Sequence, residues 1–437
     1  MTPKVSHLSC ALCQTKYRLE DYGSRVACDC GGLLDVVHDL TFWQELGGDL
    51  TATWFDHRRK SRTPADSSGV WRFRELVLPA LAEREIVTRG EGNTRLYSFR
   101  NVDGWLRHDG VLFKHEGENP TGSFKDRGLT VAMSWAKKCG ARFVACASTG
   151  NTAAAVASYA SLAGIPAVIL IPDGATALGK VSQSLAYGAI TVKVKGDFDQ
   201  ALKLVMSARE RLGLTVLNSV NPFRLEGQKT IVWEALEQLG WDPPAWIVVP
   251  GGNLGNTSAF GKALAEAHEI GLISRLPRLA VVQAAGAAPF YRSYRNGWRR
   301  GKAGLAQTVA TAIKIGDPVN FDKAVRAVRF TGGVVVRVTD CQIMAAKAVI
   351  DSDGVGAEPA SCATAAGIKK LMAAGVIRHH DRVLAILTGH LLKDPDATIG
   401  YHSGTLAGAS ASRANAPVVI EPTLHALEAV LKERGRR

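Results

Sequence analysis

The sequence predicts an α/β protein built on parallel sheets with helices on both faces, preceded by a small cysteine-rich module. Three observations predict it. From about residue 111, nine short apolar runs alternate with stretches of helical length. Several runs are followed directly by glycine-rich or polar turns that open a helix. Four cysteines crowd into residues 10–30. The 437-residue chain is 46% hydrophobic and 21% charged, close to the globular average, which excludes disordered and collagen-like chains. At roughly 150 residues per domain, its length suits about three domain-sized units.

Residues 1–40 read as the cysteine-rich module, closed by a strand over 33–37. Residues 41–110 read as an irregular extension whose Phe42, Trp43, Trp54, Trp71 and Trp105 dock it onto a core. Residues 111–415 form a two-lobed core. Its strands are expected at 111–113, 143–147, 167–171, 191–194, 215–217, 246–249, 279–283, 334–338 and 383–387. Helices are expected between most of them, for example at 124–138, 152–163 and 198–212. Residues 416–437 supply a C-terminal helix and a basic tail. No run of eighteen apolar residues and no charged-then-apolar leader is present, so neither a membrane span nor a signal peptide is expected, and the setting is cytoplasmic.

The net charge of +13 first suggests a polyanion partner. Its location argues otherwise. The windows 57–62, 291–302 and 432–437 carry +4, +5 and +3, so the rest of the chain is nearly neutral. Tyr291, Tyr294 and Trp298 lie among the arginines of the second window, and a nucleic-acid surface competes there with a solvated helix carrying aromatic anchors. The second reading is favoured, because no nucleic-acid-binding motif accompanies the charge.

Cys10, Cys13, Cys28 and Cys30 are spaced C-x2-C-x14-C-x-C, two tight pairs that suit a tetrahedral zinc ion with sulfurs at about 2.3 Å. The alternatives are two disulfides or four free thiols. A chain without a secretory leader disfavours disulfides. Four protein ligands would make the site structural.

In open α/β sheets ligands lie beyond the carboxyl ends of the strands. After the strand at 111–113 comes KHEGENPTGSFKDR, with Ser123 as N-cap and Lys125 in the first helical turn. A lysine there opposes the helix dipole, which would lower its pKa and suit an amine that must be neutral to attack a carbonyl. After 143–147 comes STGNT, and after 246–249 comes PGGNLGNT. Both open helices, where free backbone N–H groups favour a phosphate. The loop at 174–180, GATALGK, imitates a P-loop, but Val181 stands where a Mg²⁺-binding Ser or Thr is needed. The last strand is followed by TGHLLKDPD at 388–396.

Taken together, ENPTGSFKDRG at 118–128, STGNT at 148–152, PGGNLGN at 250–256 and TGHLLKDPD at 388–396 resemble the threonine synthases, as do Glu358-Pro359-Ala360-Ser361 and the 218–229 segment. The resemblance runs from about residue 88 to 400 and implies a fold type II pyridoxal-phosphate enzyme with two parallel-sheet α/β domains. It implies that Lys125 holds pyridoxal 5'-phosphate and then acts as the acid–base group. Asn151 would contact the cofactor's 3′-oxygen and Thr388 its ring nitrogen. The backbone of Gly252, Asn253, Leu254, Gly255 and Asn256 would cradle the cofactor phosphate. Thr152, Asn218, Ser219 and Arg224 would bind the substrate phosphate. The implied reaction converts O-phospho-L-homoserine and water to L-threonine and phosphate, and a homodimer is the expected assembly. A related β-replacement on O-phosphoserine, cysteate-synthase-like, is the competing enzyme reading. Two departures stand out: Leu391 and Arg95 occupy positions where the family commonly has glycine and proline.

Overall fold

The computed structural model describes residues 6–23, 27–173 and 178–434. The N-terminal module is a three-stranded antiparallel sheet of β1 (Ser6–Cys10), β2 (Lys16–Tyr17) and β3 (Leu34–His38), ordered β2-β1-β3. The extension that follows is more regular than its sequence suggests. It folds into α1 (Thr41–Leu46), α2 (Gly48–Arg59), α3 (Arg74–Val77), β4 (Leu96–Tyr97) and α4 (Arg100–Leu106). Trp43, Phe55, Trp71 and Phe73 are buried there, so aromatic packing organises short helices whose own amphipathic signal is weak. Trp54 stays partly exposed.

The core then proceeds in chain order. β5 (Val111–His115) and α5 (Lys125–Lys138) lead into a smaller lobe of β6 (Phe143–Ala147), α6 (Asn151–Ala163), β7 (Ala167–Pro172), α7 (Leu178–Ala186), β8 (Ile190–Val194), α8 (Phe198–Leu212) and β9 (Leu214–Val216). The chain returns through α9 (Pro222–Gln238), β10 (Trp246–Pro250), α10 (Gly255–Glu269), β11 (Arg278–Ala284), α11 (Pro289–Arg295), α12 (Phe321–Phe330), β12 (Val334–Val338), α13 (Asp340–Ser352), α14 (Pro359–Ala373) and β13 (Val383–Leu387). It ends with α15 (Pro395–His402) and the exposed α16 (Leu424–Arg434). All nine expected strands are present. The smaller sheet, ordered β8-β7-β6-β9, is wholly parallel. The larger, ordered β12-β11-β10-β13-β5-β4, is parallel except for the edge strand β4. Central strands such as β10 and β13 are buried at every position, which is why they read as unbroken apolar runs. The P-loop-like stretch at 174–177 lies outside the described residues. Among the described residues, no helix is long and apolar enough to cross a membrane.

Helix α9 is the axis of the molecule. It is buried along its length, yet it carries Arg224, Glu226, Lys229, Glu234 and Glu237. Buried charges persist only when paired. Glu234 receives Lys114 Nζ at 2.6 Å and Arg127 Nη2 at 2.8 Å, and lies 3.1 Å from Arg72 Nη2. Arg127 also binds Glu116 through Nε at 2.6 Å. Lys114 and His115, expected in the loop, are thus strand residues, and Lys114 faces this buried cluster. Glu226 pairs with His38 of β3 at 2.7 Å, with Lys229 at 2.7 Å and with Lys262, which joins the cysteine-rich module to the core. His38, Glu226 and Glu266 are grouped closely enough for a metal ion, but the ammonium groups of Lys229 and Lys262 already lie against these carboxylates. Where α5 crosses α9, a Cβ on Gly227 would lie 1.7 Å from the Arg127 carbonyl oxygen, so only glycine permits this approach.

One arginine in each of the first two basic windows is held by an ion pair. Arg58 pairs with Glu75, and Arg300 with Asp317 at 2.6 Å. Tyr291, Tyr294 and Trp298 pack against the core as partly buried anchors. Truncating Glu234 to alanine should strand three buried cations and lower unfolding stability by about 3–5 kcal/mol in urea titrations, whereas a loss below about 1 kcal/mol would show that the cluster is not what holds α5 to α9.

Candidate active site

The turns that follow β5, β6 and β13 are brought together by hydrogen bonds, and they mark the crevice expected beyond the carboxyl ends of the strands. Two of these turns are stitched together. Phe124 N donates to Thr388 O at 3.0 Å, His390 N donates to Gly122 O at 2.9 Å, and Ser123 bridges Gly389. Gly122 takes φ +85°, which lets the NPTG turn fold back beneath α5. Lys125 is the first residue of α5, capped by Phe124 and not by Ser123, although the Ser123 hydroxyl accepts from Lys125 N at 3.4 Å. Its Nζ lies 4.1 Å from the centre of the Phe124 ring. The Lys125 amine has its pKa lowered to about 7, chiefly by burial and next by the Arg224 guanidinium, with Glu358 opposing both. The lowered pKa expected from sequence is present, and burial and the Arg224 guanidinium contribute to it beside the helix start.

Asn151 opens α6 and Thr388 directly follows β13, and one carboxylate joins them. Asn151 Nδ2 donates to Glu358 Oε2 at 3.0 Å, and Thr388 Oγ1 donates to Glu358 Oε1 at 3.1 Å. Ser361 shares a hydrogen bond of 3.0 Å with Thr388 and accepts from Gly389 N at 3.0 Å. Glu358 entered the sequence reading only as part of a motif, and the signal for more was its place before a proline at a helix start. Lys393 donates to Gln183 of α7, whose Nε2 donates to Thr121 O at 3.2 Å, so this bridge ties the smaller lobe to the larger across the crevice.

Residues 251–254 turn tightly between β10 and α10, with Leu254 at φ +63°. The first amides of a helix lack intrahelical acceptors. In the first turn of α10, Asn256 Oδ1 and Thr257 Oγ1 are buried without a partner. A Cβ on Gly252 would lie 3.2 Å from both the Ala312 carbonyl oxygen and Ile313 Cα, which leaves the loop backbone pressed against its support.

Arg224, at the start of α9, is buried, donates through Nη1 to Leu217 O at 3.0 Å, and has an unpartnered Nε. No carboxylate pairs with it among the described residues, and burial lowers its pKa to about 10. Thr152 and Ser219 are half-buried. Asn218 is different: its amide accepts from Ala147 N at 3.1 Å and donates to Ala147 O at 2.9 Å, extending the β6 edge. Leu391 lies against Gly356, where a Cβ would come within 2.7 Å of it, so a glycine opposite makes room for the unusual leucine.

Outside the crevice, the sulfur atoms of Cys10, Cys13, Cys28 and Cys30 lie within 4.8 Å of one another, and all four are free thiols. Leu12 N and Cys13 N donate to Cys10 Sγ at 3.3 and 3.5 Å, and a Cβ on Gly32 would sit 2.6 Å from that sulfur.

A family profile described as pyridoxal-phosphate dependent enzyme matches residues 87–389, which defines the class. A threonine synthase of Methanocaldococcus jannaschii is 40% identical over 97% of this chain and 99% of its own length. One from Methanosarcina acetivorans is 43% identical over 90% of this chain and 93% of its own. The chain belongs to the threonine synthase family of pyridoxal-phosphate dependent enzymes. The fold is also that of the Escherichia coli threonine synthase structure, with TM-score 0.68 at 20% identity over 98% of this chain and 99% of that one. Maize serine racemase shares it less fully, with TM-score 0.60 at 23% identity over 72% of this chain and 92% of that one.

Proposed function

We propose that this chain converts O-phospho-L-homoserine and water to L-threonine and inorganic phosphate. The observation that carries the reading is Arg224, a buried guanidinium with no carboxylate partner among the described residues, near a lysine amine whose pKa is lowered to about 7. A dianionic phosphate ester is the complement to such a group, because guanidinium and phosphate match in charge and fork geometry.

The residues fit pyridoxal phosphate. The turn at Gly252, Asn253, Leu254, Gly255 and Asn256, with its helix-start amides, and the orphaned Thr257 hydroxyl, which can donate, suit the cofactor phosphate. Asn151 and Thr388 would hold the two edges of the ring, and Lys125 would carry the cofactor. When bound, the cofactor supplies an electron sink for carbanionic chemistry. Arg224, Thr152 and Ser219 would bind the substrate phosphate, while Asn218 acts as the strut that fixes Ser219 beside β6. Lys125, near neutral as an amine, can take a proton from Cα and return protons to neighbouring carbons as phosphate leaves Cγ and water adds at Cβ. The Lys393–Gln183 bridge helps to exclude bulk water from that sequence.

Cys10, Cys13, Cys28 and Cys30 would hold a structural zinc ion, a reading supported by four free sulfurs in one cluster and amide donors aimed at one of them. Metal analysis should then return about one zinc per chain, and Cys10→Ser retaining full zinc would refute the assignment. For the reaction, phosphate release from O-phospho-L-homoserine is compared with release from O-phosphoserine plus sulfite. Release from the first substrate alone is expected, and release from only the second would transfer the chain to β-replacement. Arg224→Gln should lower kcat/KM by about two to three orders of magnitude, within the roughly 2–5 kcal/mol cost of breaking a buried charge pair.

A further inference from the structure

We propose that Glu358 is a positioning residue that keeps a proton in reserve and exchanges it, through the Thr388 hydroxyl, with the ring nitrogen of the cofactor. The proposal rests on the reading that Thr388 faces that nitrogen.

The first observation concerns where the carboxylate goes. Glu358 is the N-cap of α14 and precedes Pro359, a position where an acidic side chain ordinarily accepts the free amides of its own helix. Here it makes no such bond. It turns back toward the crevice and receives Asn151 Nδ2 and Thr388 Oγ1, one donor from each lobe. Gly389 makes room, since a Cβ there would lie 2.6 Å from the carboxylate. The backbone is fixed separately, with Glu358 N donating to Gly389 O at 3.0 Å. The orientation therefore serves the crevice and not the helix end.

The second observation concerns charge. Glu358 is 3% exposed, and among the described residues it has no ion pair. The charged groups facing it are Lys125 from α5 and Lys393 and Asp394 from the turn after β13, with neutral Asn151 from α6. Lys393 donates to Gln183. A buried carboxylate held only by neutral donors can be protonated without losing its place, and burial raises its pKa.

The third observation is the hydrogen count at Thr388. A hydroxyl has one proton and two lone pairs. Ser361, which accepts from Gly389 N, can supply its own proton to one lone pair of Thr388 at 3.0 Å, a shorter contact than its alternative acceptor, Gly389 O at 3.4 Å. With Glu358 ionised, the Thr388 proton points to Glu358, and the remaining lone pair can only accept a bond from a protonated ring nitrogen. With Glu358 protonated, the Glu358 proton points to Thr388, and the Thr388 proton turns to an unprotonated ring nitrogen. Passing from the second state to the first breaks the Glu358 O–H bond and forms a new O–H on Thr388. It also breaks the old Thr388 O–H and forms an N–H on the ring. One negative charge appears on Glu358 and one positive charge on the ring, and no outside acid is consumed. A hydroxyl alone would leave the ring nitrogen neutral; the carboxylate behind it makes a stronger electron sink available.

The test uses holoenzyme reconstituted with pyridoxal phosphate carrying ¹⁵N at the ring nitrogen. In the unmodified protein the ring resonance should lie between its unprotonated and protonated positions while the Glu358–ring pair keeps its one proton, and move to the unprotonated position as rising pH removes that proton. In Glu358→Gln it should stay at the unprotonated position throughout, with Thr388→Val behaving alike and Glu358→Asp keeping a titration. Absorbance titration of cofactor into each variant accompanies the spectra. Normal cofactor binding by Glu358→Gln with an unchanged ring resonance would overturn the proposal, as would a titration lost in Glu358→Gln but kept in Thr388→Val. If Glu358→Gln fails to fold, Glu358→Asp without a ring titration overturns it. Failure of the unmodified chain to bind the cofactor would instead sink the underlying assignment of the site.

Discussion

The ion cluster of Arg127, Glu116 and Glu234 is the constraint on which the site depends. Residues two apart on a helix point roughly 200° apart around its axis. With Arg127 held inward between two buried carboxylates, Lys125 is turned the other way, toward the crevice. The glycine contact between α5 and α9 sets the depth of that packing, and the charges set its rotation. Removing several charges from water is costly, so the arrangement is stable only when every partner is in place. That requirement draws Lys114 from β5 and Arg72 from the N-terminal extension into the same cluster.

The molecule treats its buried charges in two ways. Around Glu226 and Glu234 they are matched, and they serve as internal mortar between the cysteine-rich module, the extension and the core. In the crevice the half-buried Lys125 and the buried Arg224 and Glu358 have no ion-pair partner among the described residues, although they lie near one another. Such a set is poised for ligands that bring their own charge. Two phosphates, one on the cofactor and one on the substrate, would complete it. The net charge of +13 says little about function, because most of it lies in windows apart from Lys125 and Arg224, the residues on which anion chemistry would rest.

Much of this was legible in the sequence. Buried parallel strands are continuous apolar runs, so β6, β12 and β13 matched their expected limits, and the motifs fell in the turns at their carboxyl ends. The extension at 41–110 was not legible as helices, because short helices held by aromatic packing carry little periodic signal. Long-range pairings were invisible for a different reason. Lys114 and Glu234 stand 120 residues apart, and Asn151 and Glu358 207 apart, so no local pattern marks either pair. The share of the lysine's lowered pKa that comes from Arg224 was out of reach on the same ground: the helix terminus is a local feature, and Arg224 is not.

The most direct measurement is borohydride trapping of pyridoxal phosphate on the intact chain at a series of pH values, with peptide mapping of the labelled lysine. A single label at Lys125 is predicted, its rate of formation in cofactor-free protein falling as pH drops through about 7 and the amine is protonated. A label at Lys114 or Lys393, or a Lys125 that reacts only at the high pH of an ordinary surface lysine, would contradict the account.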